Sequence, residues 1–154
     1  MRTLVLGLGN PILADDSVGF RVIEQLEAGS DKPGLTFMAS SSSGLSLLEE
    51  IIGYDKLIII DAIQKKDRQA GEIYRFTLDD SIDTRHTTSP HSVNLATAIE
   101  LGKRLGEHVP QQIVIFAIEV ANVTIFSERC TPEVERAIPQ AVALVAKELD
   151  SDQL

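Results

Sequence analysis

Lys56-Leu57-Ile58-Ile59-Ile60-Asp61 is the stretch on which the fold turns. Four consecutive large apolar residues with no alternation describe a strand covered on both faces, and such strands belong to parallel sheets flanked by helices. Upstream, Thr3–Leu8 reads as a first buried strand, followed by a turn through Asn10 and Pro11. Val18, Val22, Ile23 and Leu26 then recur at helical spacing until Gly29 stops them. Leu35–Ala39 is a second strand, and the polar run Ser40-Ser41-Ser42-Ser43 leads to a helix carrying Leu45, Leu48, Ile51 and Ile52, with Gly53 as its C-cap. Downstream, Gly71 turns the chain into Glu72–Leu78, where Tyr74, Phe76 and Leu78 share one face. The connection from Asp61 to Glu72 is too short for a crossover helix, so this fourth strand runs antiparallel to the third. Asp79 to Thr88 reads as an exposed polar loop, and Ser89-Pro90 caps a third helix through Leu95, Ile99 and Leu105. Gln112–Glu119 is a fifth strand, and Thr131-Pro132 opens a last helix that Pro139 kinks or delays and that frays over Asp150–Leu154. The order predicts one three-layer α/β/α sandwich over residues 1–154, with a mixed, mostly parallel five-stranded sheet.

Composition narrows the class of protein. Of 154 residues, 44% are hydrophobic and 24% charged, as in ordinary globular domains, and no apolar run reaches the ~20 residues that span a bilayer. Membrane insertion is therefore not expected. Met1–Leu6 is too short for a signal peptide and runs straight into a glycine turn, so a cytoplasmic location is the expectation. The one cysteine, Cys130, builds neither a disulfide framework nor a thiolate metal site. With 14 basic and 23 acidic residues the net charge is −9, a surface that repels phosphate backbones and argues against a nucleic-acid partner.

Three segments carry polar groups toward one edge of the sheet: Gly7 to Gly19 (GLGNPILADDSVG), Ile58 to Ala62 (IIIDA), and Ser89-Pro90-His91. In parallel sheets ligands bind beyond the carboxyl ends of the strands. Asn10 follows strand one, Asp61 ends strand three and Glu119 ends strand five, while Asp16 and His91 lie at helix starts facing the same crevice. Two carboxylates and an imidazole there suit Zn, Ni, Co or Mn rather than Cu(I) or Fe–S chemistry. For Asp15 and Asp16 the plain alternative is a helix N-terminal charge interacting with the dipole. Asp61 is harder to explain that way, since a carboxylate closing a buried strand needs a cation, a cap or a metal. His86 and His108 read as surface residues and Cys130 as a packed side chain. Gly7-Leu8-Gly9 lacks the third glycine of a dinucleotide fingerprint, because Ile12 stands there.

The chain resembles the hydrogenase maturation endopeptidases, which trim the C-terminal extension from the large subunit of [NiFe] hydrogenases. The segments that carry the resemblance are GLGNPILADDSVG, LIIIDAI at 57–63, SPH at 89–91, and IFAIEV followed by CTPEVERAIP within 115–139. The resemblance implies that Asp16, Asp61 and His91 bind a metal, with Asp16 and Asp61 catalytic. It implies nickel supplied by the hydrogenase large-subunit precursor as substrate, although the same ligands suit other divalent metals. Asn10, Ser40, Ser41 and Glu119 are the substrate-contacting candidates. Relatives carry an Asp-Gly-Gly type segment where this chain has Ala39-Ser40-Ser41-Ser42-Ser43-Gly44, and often glutamate then proline where it has Glu119-Val120. Those differences bear on which hydrogenase is processed.

Two alternatives belong to other classes. Gly7-Leu8-Gly9-Asn10-Pro11 also resembles the opening of peptidyl-tRNA hydrolases, but the stretch that holds their catalytic histidine here reads Asp15-Asp16-Ser17. A non-catalytic chaperone that checks nickel insertion would use the same ligands without hydrolysis.

Overall fold

The computed structural model describes residues 1–29, 32–65, 69–78 and 90–151, and of residues 90–94 the backbone only. The strands β1 (Thr3–Leu8), β2 (Leu35–Ser40), β3 (Lys56–Ile63), β4 (Ile73–Thr77) and β5 (Gln112–Glu119) form one sheet in the order β2-β1-β3-β5-β4. All pairings are parallel except that of β4 with β5. A 3-10 turn (Ala14–Ser17) leads into α1 (Val18–Gly29), and the remaining helices are α2 (Leu45–Ile51), α3 (Pro90–Arg104) and α4 (Pro132–Ser151). The mixed sheet and its helices are those expected from the sequence.

The unbroken apolar run of β3 has a direct structural cause. Ile58 and Ile60 pack with Val5, Phe116 and Ile118 under α1 and α4, while Leu57 and Ile59 pack with Leu4, Leu6 and Ile115 under α2 and α3. Each face of the central strand thus belongs to a different core layer. Every fully buried Leu or Ile in these layers contributes about 1.5–3 kcal/mol of transfer free energy.

Three details differ from the sequence expectation. Strand β4 is antiparallel as expected, but β5 lies between it and β3. The chain leaving β3 passes over the end of β5, where Lys65 N donates to Glu119 Oε2 at 2.7 Å and Gly71 N to Glu119 O at 2.8 Å. Second, β3 continues to Ile63, so Asp61 sits within the strand rather than at its end. Third, α4 begins at Pro132 with Pro139 inside it, so its start is not delayed. Pro139 is on the exposed side, where the carbonyl it leaves without an N–H donor meets water. The Asp79–Thr88 loop with His86, the capping Ser89 and residues 152–154 lie outside the described residues.

One close approach positions the functional edge. Gly9 has φ +145°, and a Cβ there would lie 2.1 Å from the carbonyl oxygen of Asp16. Only glycine lets the 3-10 turn fold down onto the end of β1 in this way.

Candidate active site

The loop after β1 and the loop after β5 are stitched into one body. Leu13 and Ser127 form a parallel bridge, with Ala14 N donating to Ser127 O and Ser127 N to Ile12 O, both at 2.9 Å. Ala14 takes a φ of +40°, unusual for a non-glycine residue, and this turns the next two residues in opposite directions. Asp15 points inward and is fully buried. Its carboxylate accepts Ala121 N (2.9 Å), Asn122 N (2.9 Å), Thr131 N (2.6 Å) and Thr131 Oγ1 (2.9 Å). A buried carboxylate with four donors is satisfied without a cation. Asp15 is therefore an internal staple, and the helix-dipole role read from the sequence does not describe it. The hydroxyl of Thr131, the expected cap of α4, is spent on this staple.

Asp16 is half-buried and remains at the crevice, where its Oδ2 accepts Asn10 N at 2.9 Å. The side-chain oxygen of Asn10 in turn accepts Ile12 N at 3.1 Å, so Asn10 shapes the turn that presents Asp16. The 3-10 turn packs against β3 as well as α1, which brings the Asp16 segment beside the strand that carries Asp61.

Asp61 is 3% exposed, and its Oδ1 accepts the N–H of Ala62 at 2.9 Å. Side chains alternate along strands, and Leu57 and Ile59 face α2 and α3, so Asp61 lies on that face. Glu119 falls on the same face by alternation with Ile113 and Ile115, two residues further along the β3–β5 register. It is 1% exposed, with Oε2 holding Lys65 N while Oε1 has no hydrogen-bond partner among the described residues. Ser40 is buried at the end of β2, where its Oγ donates to Glu50 Oε1 at 2.8 Å and accepts Ser42 N at 3.0 Å. Ser41 is exposed. His91 occupies the second position of α3, and since β5 follows α3 from the opposite edge, that helix start lies at the carboxyl edge. Its side chain lies outside the described residues, and among those described no three His, Cys, Asp or Glu side chains cluster closely enough to hold a metal. Asp16 and Asp61 thus both lie at the carboxyl edge, on the 3-10 turn and on β3, and the backbone start of α3 that carries His91 lies at the same edge.

The remaining titratable groups stand apart. Burial pushes the Cys130 thiol up, and a contact with Ser17 Oγ at 3.6 Å opposes this. It behaves as the packed side chain the sequence suggests. His108 is exposed and lies 2.7 Å from Asp55. A cavity of about 590 Å³ sits at the opposite, amino edge of the sheet, where Arg75 and Lys56 share Glu148 at 2.7 and 3.5 Å. It includes none of the candidate residues.

Several solved structures share this architecture. The hydrogenase maturating endopeptidase HybD from Escherichia coli matches with a TM-score of 0.84 at 28% identity, covering 99% of this chain and 94% of that one. The [NiFe] hydrogenase maturation protease HybD from Thermococcus kodakarensis shares the fold at a TM-score of 0.72 and 22% identity, over 96% of this chain and 98% of that one. The Hydrogenase 2 maturation protease of Escherichia coli strain K12 is 31% identical over 121 residues, which is 77% of this chain and 73% of the relative. The HycI family model, described as hydrogenase maturation protease, matches residues 20–148. The chain belongs to the hydrogenase maturation protease family, and it is a hydrolase of the endopeptidase type. Among the described residues no helix is long and apolar enough to cross a membrane.

Proposed function

We propose that the protein removes the C-terminal extension of a [NiFe] hydrogenase large-subunit precursor, and that it acts on precursor already carrying nickel. Family membership across residues 20–148 is the observation that carries this reading. The placement of Asp16 and Asp61 on adjoining elements at the carboxyl edge supports it. Asp16, Asp61 and His91 would hold the precursor's nickel, and a metal so held polarises a carbonyl or a water. Asp16 and Asp61 supply the proton transfers of peptide hydrolysis: one carboxylate takes the proton of the attacking water and an acid returns one to the leaving amine. Asn10 fixes the Asp16 turn. Exposed Ser41 offers a hydroxyl to the incoming peptide, while buried Glu119 holds the Lys65 segment at the edge of the crevice.

Incubation with nickel-loaded and nickel-free precursor, followed by mass, tests both halves of the reading. Only the loaded form should lose its tail. Cleavage of neither removes the proteolytic reading, and equal cleavage of both removes nickel sensing. Calorimetric titration with Ni²⁺ tests the ligand set separately. His91→Ala and Asp16→Asn should each weaken binding by about tenfold or more while His86→Ala leaves it unchanged, since loss even of outer-shell support costs 10–100-fold.

A further inference from the structure

The stitched loop after β5 does something its internal bonding does not require. Phe126 is 79% exposed and Ile125 58%, and beside them Ile12 is 49% exposed. Single exposed apolar residues are common on protein surfaces. Here Ile125 and Phe126 are consecutive in the loop after β5, and the bridge joins that loop to the segment carrying Ile12. Leu13 pairs with Ser127 in a parallel bridge, so the preceding residues Ile12 and Phe126 lie side by side on the other face of that bridge. Met1, Leu45, Leu105 and Leu144 are also exposed, but Met1 and Leu105 belong to the amino edge, Leu144 to the outer face of α4, and Leu45 to the start of α2 beside the serine loop.

The segment that presents this patch is held from several directions. Asn122 Oδ1 accepts Thr124 N at 2.9 Å and Ile125 N at 3.1 Å, Ser127 Oγ accepts Arg129 N at 3.1 Å, and Asp15 anchors Ala121, Asn122 and Thr131 from below. A loop ordered in advance loses little entropy on binding, which is the condition under which a small apolar patch yields affinity. The patch is also continuous with the crevice. Ile12 N is held by Asn10 Oδ1, and Asn10 N holds the carboxylate of Asp16. A peptide that reaches Asp16 therefore lies beside the turn that carries Ile12, which the bridge joins to the loop carrying Ile125 and Phe126.

We propose that Ile12, Ile125 and Phe126 form a rigid docking surface for an apolar face of the folded precursor, next to the segment that enters the crevice. The inference rests on the proteolytic reading above for the identity of the occupant. The surface acts in recognition alone, because none of the three side chains carries a group that can move a proton. Phe126 is the anchor by size and exposure, since large aromatic side chains dominate such contacts.

The test compares the parent protein with Phe126→Ser and with Ile125→Ser/Phe126→Ser, using nickel-loaded precursor. KM should rise about tenfold for the single variant and further for the double, matching the loss of more than 1 kcal/mol that marks a contact hot spot. The kcat and the melting temperature should stay at parental values, because both side chains are already in water. An unchanged KM overturns the proposal, as does a fall in kcat at constant KM. Sedimentation supplies a further check: a parental dimer that Phe126→Ser converts to monomer, with KM unchanged, would assign the patch to a second copy of this chain and overturn it too. If the parent binds precursor without cutting it, the proteolytic reading falls, and docking is decided by whether Phe126→Ser weakens that binding about tenfold.

Discussion

The two halves of the carboxyl rim are built differently. On one side, the loops after β1 and β5 are joined by a buried carboxylate with four donors and by a backbone bridge. On the other, the serine loop after β2 folds around a single oxygen of Glu50, which receives both Ser40 and Ser42, and these bonds span only ten and eight residues. The stitched half presents Asp16 at a fixed place. The serine half is a local arrangement in which Ser41 is exposed in the loop and Ala39 is an exposed residue near the end of edge strand β2. The stitched half is fixed by bonds that cross the molecule, and the serine half only by bonds within its own segment.

Breaking the staple should have the largest effect. Asp15→Ala leaves three part-buried backbone N–H groups and a hydroxyl without their acceptor, at a cost of about 3 kcal/mol read from denaturant unfolding. A loss below 1 kcal/mol would mean the two halves are equally independent. Gly9→Ala comes next: the added methyl would meet the Asp16 carbonyl at 2.1 Å in a backbone conformation L residues avoid. Stability should fall by about 2 kcal/mol or more, and tail removal should slow because the Asp16 turn is pushed off β1. Normal cleavage by a folded Gly9→Ala protein would show that this close approach does not place the carboxylate. Ala39→Asp should be the mildest. Ala39 is exposed, so unfolding should change by about 0.5 kcal/mol or less while the range of precursors cut shifts. An unchanged range would make the serine loop a plain connection.

Most of the architecture was legible because it depends on local pattern. β3 announces itself through Ile58-Ile59-Ile60, and α1 and α4 through their apolar spacing. The neighbour of β4 was not legible, since it depends on β5, a strand that comes later in the chain and slots in beside β3. The sequence placed Asp16 and Asp61 at the carboxyl edge, and both lie there, although Asp61 sits within β3 rather than at its end. The division of labour between Asp15 and Asp16 could not. It is set by Ala14's φ of +40° and by donors at Ala121, Asn122 and Thr131, which no local window contains. Glu119 was noticed as a strand-end carboxylate, but its work in holding the β3–β4 connection appears only once Lys65 and Gly71 are seen over it.

The staple also orders events in time. Asp15 lies 106 to 116 residues before the groups that satisfy it. A chain emerging from its N-terminus makes β1, α1 and much of the sheet before those donors exist, and contacts of such separation close late. Until then a carboxylate destined for burial has no partners, and the turn that carries Asp16 lacks its support. The edge that carries Asp16 is thus completed only when the segment that starts α4 is in place.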